Sequence, residues 1–216
     1  MKRLTLFIPA LLLSAMLVSC GGTPKTFYYS LSYDMPENTS GTIPVTIGVK
    51  KFEADIVYSG DRIVYRDSPY ELQYYHYRRW AAAPRKIVND QVLKQMQASG
   101  AFESVVGLPS TAQPDYILQA KVNALEEWDE ANAWYGNVTI AFELMDVSSR
   151  KLVWRKEINE RTPASEREPL AVVKAISESL KNVVDSAITD MSQTLKAQAT
   201  NKLIENILFF FKSCGL

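Results

Sequence analysis

The most constraining stretch of this chain of 216 residues is a long apolar stripe in its last quarter. Leu170, Val173, Ile176, Leu180, Val184, Ala187, Ile188, Met191 and Leu195 recur at three- and four-residue intervals. That spacing places them on one side of a helix, and such a side must be buried against another layer. The helix should begin between Ser165 and Pro169. Ser165 and Glu168 stand at capping-box spacing, whereas Pro169 suits a first turn.

The layer it needs is legible upstream. Thr26 to Leu31 is rich in strand formers, and Val45, Ile47 and Val49 alternate with Thr46, Gly48 and Lys50. Ile56 to Tyr58, a turn over Ser59 to Arg62, and Ile63 to Arg66 read as a hairpin. Asp34 to Gly41 reads as a loop and Ala101 to Pro114 as a connection. Tyr116 to Asn123, Asn137 to Leu144 and Leu152 to Ile158 alternate cleanly and are joined by short links, which favours an antiparallel meander. A second helix is expected over Trp80 to Ser99, with Val88, Val92 and Met96 four apart, Pro84 in its first turn and Gly100 as its stop. The expected fold class is α+β: a two-layer sandwich of one mixed or antiparallel sheet with two main helices, plus a short apolar C-terminal helix.

Several function classes fall away on composition. Lys+Arg and Asp+Glu are both 24, so no basic surplus favours nucleic acid. Two cysteines cannot form a four-thiolate zinc site, and a single histidine, His76, removes most metal centres and most Ser-His or Cys-His machinery. No phosphate loop or dinucleotide fingerprint is present. No cofactor and no metal is expected, and the counts lean against an enzyme.

The first twenty residues read as an address. Lys2 and Arg3 precede the uncharged stretch Leu4 to Val18, too short to span a bilayer convincingly. Leu17-Val18-Ser19-Cys20 resembles the bacterial lipobox. That resemblance implies cleavage before Cys20 and acylation of Cys20, giving a signal peptide over 1–19 and a lipid-anchored tether over 20–25. Gly21 at the next position, under an enteric-like sorting rule, implies the outer membrane. The competing reading is an ordinary secretory signal or an uncleaved anchor. With Cys20 acylated, Cys214 has no intrachain partner. One domain should follow over 26–198, with a separate tail over 199–216. That tail gathers Leu203, Ile204, Ile207, Leu208, Phe209, Phe210 and Phe211 between Lys202 and Lys212. It fits an interfacial foot, a protomer contact or a segment packed on the core.

Three constellations carry possible chemistry. Ser148 and Lys151 have the Ser-x-x-Lys spacing of acyl-enzyme hydrolases, but they fall in a turn between strands rather than at a helix start. Glu126, Glu127, Asp129 and Glu130 surround Trp128; they lack a calcium-loop spacing and read as a charged hairpin end. The third is aromatic: Tyr58, Tyr65, Tyr70, Tyr74, Tyr75, Tyr77 and Trp80 are interleaved with Arg62, Arg66, Arg78 and Arg79. Such rings suit either a partner interface or the covering of a sheet. The expected partner-binding set is Tyr65, Arg66, Tyr74, Tyr75, Arg79 and Trp80.

An ordered set of segments carries a resemblance over most of the chain. Cys20 is followed by Phe27-Tyr28-Tyr29-Ser30-Leu31, Ile63-Val64-Tyr65-Arg66 and Leu72-Gln73-Tyr74-Tyr75. Then come Arg79-Trp80-Ala81-Ala82-Ala83-Pro84, Ser99-Gly100-Ala101-Phe102, Leu152-Val153-Trp154 and the long last helix. In this order they resemble the ABC-type transport auxiliary lipoproteins, the group that includes paraquat-inducible protein C. The resemblance implies a non-enzymatic envelope component that stands on the outer membrane, facing the periplasm. Its implied partners are an MCE-domain (mammalian cell entry) protein, an ABC permease and an ATPase, which together move lipids or hydrophobic compounds. A homo-oligomer is plausible in such a system. The rival expectation is an outer-membrane biogenesis lipoprotein acting as chaperone or scaffold.

Overall fold

The computed structural model describes the backbone of residues 24–35 and 41–213, and side chains as far as residue 201 together with Ile204. The expected signal peptide, Cys20, most of the tether, and Cys214 lie outside the described residues. Nine strands form one mixed sheet: β1 Phe27–Tyr29, β2 Ile43–Val49, β3 Glu53–Ala54, β4 Arg62–Arg66, β5 Gln73–Trp80, β6 Phe102–Gly107, β7 Tyr116–Asp129, β8 Trp134–Asp146 and β9 Leu152–Pro163. Two long helices, α1 Pro84–Ser99 and α2 Pro169–Ser213, complete the α+β architecture expected from the sequence.

Strand β7 is the spine of this sheet. One edge pairs along its length with β8, which pairs in turn with β9, giving the expected antiparallel meander. Its other edge is shared in sequence by β2 at Tyr116 to Leu118, β3 at Lys121 and Val122, and β4 at Glu126 to Trp128, all parallel to it. From β2 the sheet continues to β6, and from β4 through antiparallel β5 to the short edge strand β1. A register shift between Val122 and Ala124 exchanges the two faces of β7. Before it, Leu118, Ala120 and Val122 face the main core; after it, Leu125 does. Ala124 joins a small second cluster with Tyr58 and Val64 instead.

Helix α2 covers β8 and β9. Val173, Ile176, Leu180, Val184, Ala187, Ile188, Met191 and Leu195 are all buried, as their spacing requires, whereas Leu170 is half exposed. The helix starts at Pro169, so the proline marks its first turn. It crosses β8 at Gly136, where an added Cβ would meet the Ile176 nitrogen at 2.1 Å and the Ala175 carbonyl carbon at 2.4 Å. Only glycine admits so close a backbone approach. The Ser179 hydroxyl locks the crossing by donating to the Gly136 carbonyl at 2.8 Å. Helix α1 ends where Gly100 turns left-handed at φ 58°, and it is tied to α2 by Gln95 Nε2 donating to Asp185 at 2.7 Å.

Four expectations are corrected. Ile56 to Tyr58 is a 3-10 turn (η1) and not a strand, because the Asp55 carboxylate accepts the Val57 N–H and caps it. The hairpin is therefore β4–β5, closed over 67–72. The segment after Gly100 is not merely a connection: it contains β6, drawn in by pairing with β2. Trp80 does not open a helix. It ends β5, its N–H donates to the Asp61 carbonyl, and its ring is buried. Finally, the apolar tail is no separate short helix, since α2 runs unbroken to Ser213.

Candidate functional site

The expected contact residues converge on the corner where β4, β5 and β7 meet, and the structure sorts them into layers. Trp80 is 1% exposed and belongs to the main core, so it offers no surface to a partner. Arg66, from the end of β4, turns toward the second cluster. Its Nε donates to Glu126 at 2.8 Å and its Nη2 to the Tyr58 hydroxyl at 3.0 Å. The Tyr58 hydroxyl donates to the same carboxylate at 2.5 Å, and Asn137 Nδ2, opposite it on β8, supplies a fourth bond at 3.0 Å. Glu126 is thus buried with its charge fully answered, as a carboxylate in a protein interior must be. Burial, then the adjacent Glu126 charge, push the Tyr58 hydroxyl well above the usual phenol range.

Glu127, one residue on, points to the opposite face and has no such cation. Tyr75 donates to it at 3.0 Å, and it shares a hydrogen bond with Asp129. Burial first, and the Asp129 charge second, push its carboxyl up to about 8. Burial likewise raises Asp129. The Tyr75 hydroxyl is held above the phenol range by burial and by Glu127. The charged hairpin end expected from the sequence is therefore corrected: only Glu130 lies exposed at the tip, while Glu126 and Glu127 are buried inside the strand. The signal for this was present in the strand formers on both sides, Val122 to Leu125 and Trp134 to Ile140, which extend the β7–β8 pair past the acids.

The outer layer of the corner is aromatic and cationic. Tyr65 stacks on Tyr75 with centroids 4.8 Å apart and donates to Gln73 at 2.5 Å. Arg78 lies over both Phe27 and Tyr75, at 5.6 and 5.8 Å, and donates to Tyr29 at 2.8 Å. Beside them is a shallow hollow lined by Ile56, Asp61, Arg62, Tyr74 and Arg79. Arg62 sits 5.9 Å from the Tyr74 ring, and Arg79 reaches Asp61 at 3.0 Å. Ile56 is 85% exposed at the rim, a residue that sequence reasoning placed in a hairpin and not at a site. Tyr74 and Tyr77 are exposed as well, and Tyr70 is almost wholly so.

The hydrolase constellation does not assemble. Ser148 and Ser149 both donate to Asp146 within the β8–β9 turn, which holds that carboxyl below its usual range through the Ser149 N–H first. His76 is exposed beside Tyr77. Among the described residues no group of three or more His, Cys, Asp or Glu is placed to hold a metal ion, and no helix is long and apolar enough to cross a membrane.

Comparison with known proteins agrees with this geometry. A crystal structure of a Xanthomonas campestris protein is similar with a TM-score of 0.72 and 21% identity, covering 81% of this chain and 99% of that one. A second crystal structure, of an uncharacterized protein, is similar with a TM-score of 0.62 and 12% identity, over 78% and 99%. Both show the fold. No curated protein sequence matches. The family model described as ABC-type transport auxiliary lipoprotein component matches residues 29–187. That match runs from β1 through the packed part of α2, the same sheet and helix pair that build the β4–β5–β7 corner, and the chain belongs to the family of ABC-type transport auxiliary lipoprotein components.

Proposed function

We propose that this chain is a non-enzymatic periplasmic subunit, held to the outer membrane by acylated Cys20. In this reading it docks the MCE-domain partner of an ABC-type system that moves lipids or hydrophobic compounds. The docking surface is the hollow of Ile56, Arg62, Tyr74 and Arg79; Tyr65, packed on Tyr75, lies on the other face of β4. One observation carries the assignment. The buried network of Tyr58, Arg66, Glu126 and Asn137 fixes β4 against β7, and the rings and guanidinium groups of the hollow stand exposed beside that rigid base. Exposed aromatic and arginine side chains on a rigid frame are what protein interfaces use for their strongest contacts. Arg66 and Tyr75 act from beneath as positioning residues.

The test is affinity capture of the lipidated protein from cross-linked envelopes, comparing the wild type with Tyr74→Ala/Arg79→Ala. The Arg79–Asp61 pair is exposed, so its loss costs within about 1 kcal/mol of stability. Recovery of an MCE protein with its permease and ATPase by the wild type, and loss of that recovery by the folded variant, is the expected result. Equal recovery by both removes the site. Recovery of an outer-membrane barrel or assembly factor without transporter parts replaces this reading with the biogenesis one.

A further inference from the structure

Helix α2 is far longer than the sheet it covers. Among the residues with described side chains its last buried one is Leu195, and Lys196, Ala197, Ala199, Thr200 and Asn201 are exposed. The helical backbone continues to Ser213, which adds about 27 Å at about 1.5 Å per residue. The tail is amphipathic on its own terms. By helical period Leu203, Ile204, Ile207, Leu208, Phe210 and Phe211 share one face. Lys202, Glu205, Asn206, Lys212 and Ser213 share the other, with Phe209 among them.

This apolar face does not continue the one that packs on the sheet. Counting about 100° per residue, its centre is turned about 150° from that of Ile188, Met191 and Leu195. Ile204, on that face, is 49% exposed.

We infer that residues 202–213 form an interfacial helix that lies on an anionic lipid surface. Three features fix the occupant. The composition is that of helices lying in the plane of a bilayer: leucine, isoleucine and phenylalanine on one face, lysines on the other. Lys202 and Lys212 bracket the apolar block and complement acidic headgroups, with Glu205 the one acid between them. The block spans nine residues, about 13 Å, too short to cross the hydrocarbon core and long enough to lie on it. Acyl chains at Cys20 and the apolar foot would give the chain two points of attachment to one bilayer. This two-point geometry rests on the anchoring of Cys20 proposed above.

The full lipidated protein carries one thiol outside its acylated residue, Cys214. Labelled there with an environment-sensitive nitrobenzoxadiazole and reconstituted into phosphatidylglycerol/phosphatidylethanolamine vesicles, the wild type should show blue-shifted emission quenched by doxyl lipids. Ile207→Asp/Phe210→Asp should move the emission to its value in water and cut quenching at least about fivefold. Phe209→Asp, which adds the same charge on the other face, should leave both unchanged, and circular dichroism checks that the helix persists in all three. A wild-type probe that is water-exposed on vesicles overturns the proposal. So does a blue-shifted probe that doxyl lipids do not quench, which would assign the face to a second copy of the chain. Failure of the protein to associate with vesicles at all would overturn both the foot and the Cys20 anchor, whereas association with a water-exposed probe overturns the foot alone.

Discussion

Glu126 and Glu127 are neighbours on one strand, both almost fully buried, and they meet opposite fates. Glu126 faces a small cluster of Tyr58, Val64 and Ala124, where Arg66 answers its charge and Tyr58 and Asn137 complete its hydrogen bonds. Glu127 faces the helix-covered side, opposite Gly136, where Tyr75 and Asp129 are its polar partners. On the first face the buried carboxyl meets a cation, Arg66. On the second it keeps a proton, because desolvation without a strong counter-charge makes the ionised form costly. The difference separates two jobs. The Glu126 face locks β4 in place beneath the candidate docking hollow, and the Glu127 face closes the end of the core under α2.

The comparison breaks most severely at Gly136. Gly136→Val should destabilise by more than about 3 kcal/mol, because its side chain would occupy backbone of α2 and the helix would have to lift from β8. Thermal unfolding measures it. A loss below about 1 kcal/mol would mean that the helix-covered face is not the rigid one.

Next is the charged face. Glu126→Ala should cost about 3 kcal/mol, since it leaves Arg66 and Tyr58 partly buried without their acceptor. Adding Arg66→Met should restore part of that loss. The interaction energy from the double-mutant cycle reports how much of the effect is the pair itself. Strict additivity would contradict the network.

The most specific effect is a dependence on pH. In the folded chain Glu127 titrates near 8 against an ordinary 4.5. Between those values the folded chain holds a proton that the unfolded chain has released. Stability is therefore greatest at the acid end and falls as pH rises through the window, by up to about 1.4 kcal/mol per unit, before levelling above the folded value. Glu127→Gln should flatten that slope. Denaturant unfolding at a series of pH values decides it; identical slopes in the wild type and Glu127→Gln would assign the proton elsewhere.

Much of the fold was legible because its elements obey their own periods. The α2 stripe, the β7–β9 meander and the Pro84–Gly100 helix each carry their signal within a dozen or so residues. Strand β5 was not legible: Gln73 to Trp80 shows no alternation of apolar and polar residues, because rings and arginines fall on both of its sides. Strand β6 was missed for a different reason, since its short Phe102 to Gly107 run becomes a strand only by pairing with β2. Of the candidate site, the aromatic and arginine segment was found, but its layering was not. Nothing local distinguishes the buried Trp80 from the exposed Tyr74.

The sequence by itself determined the fold class and the family, both of which rest on local period and ordered segments. Only the tertiary structure decided which acid meets a cation, which ring reaches the surface, and where the backbone of α2 passes directly over β8. Those outcomes depend on partners far apart in the chain: Arg66 on Glu126, Tyr75 on Glu127, Gly136 under Ile176. Desolvation and charge act through space, so no reading along the chain can supply them.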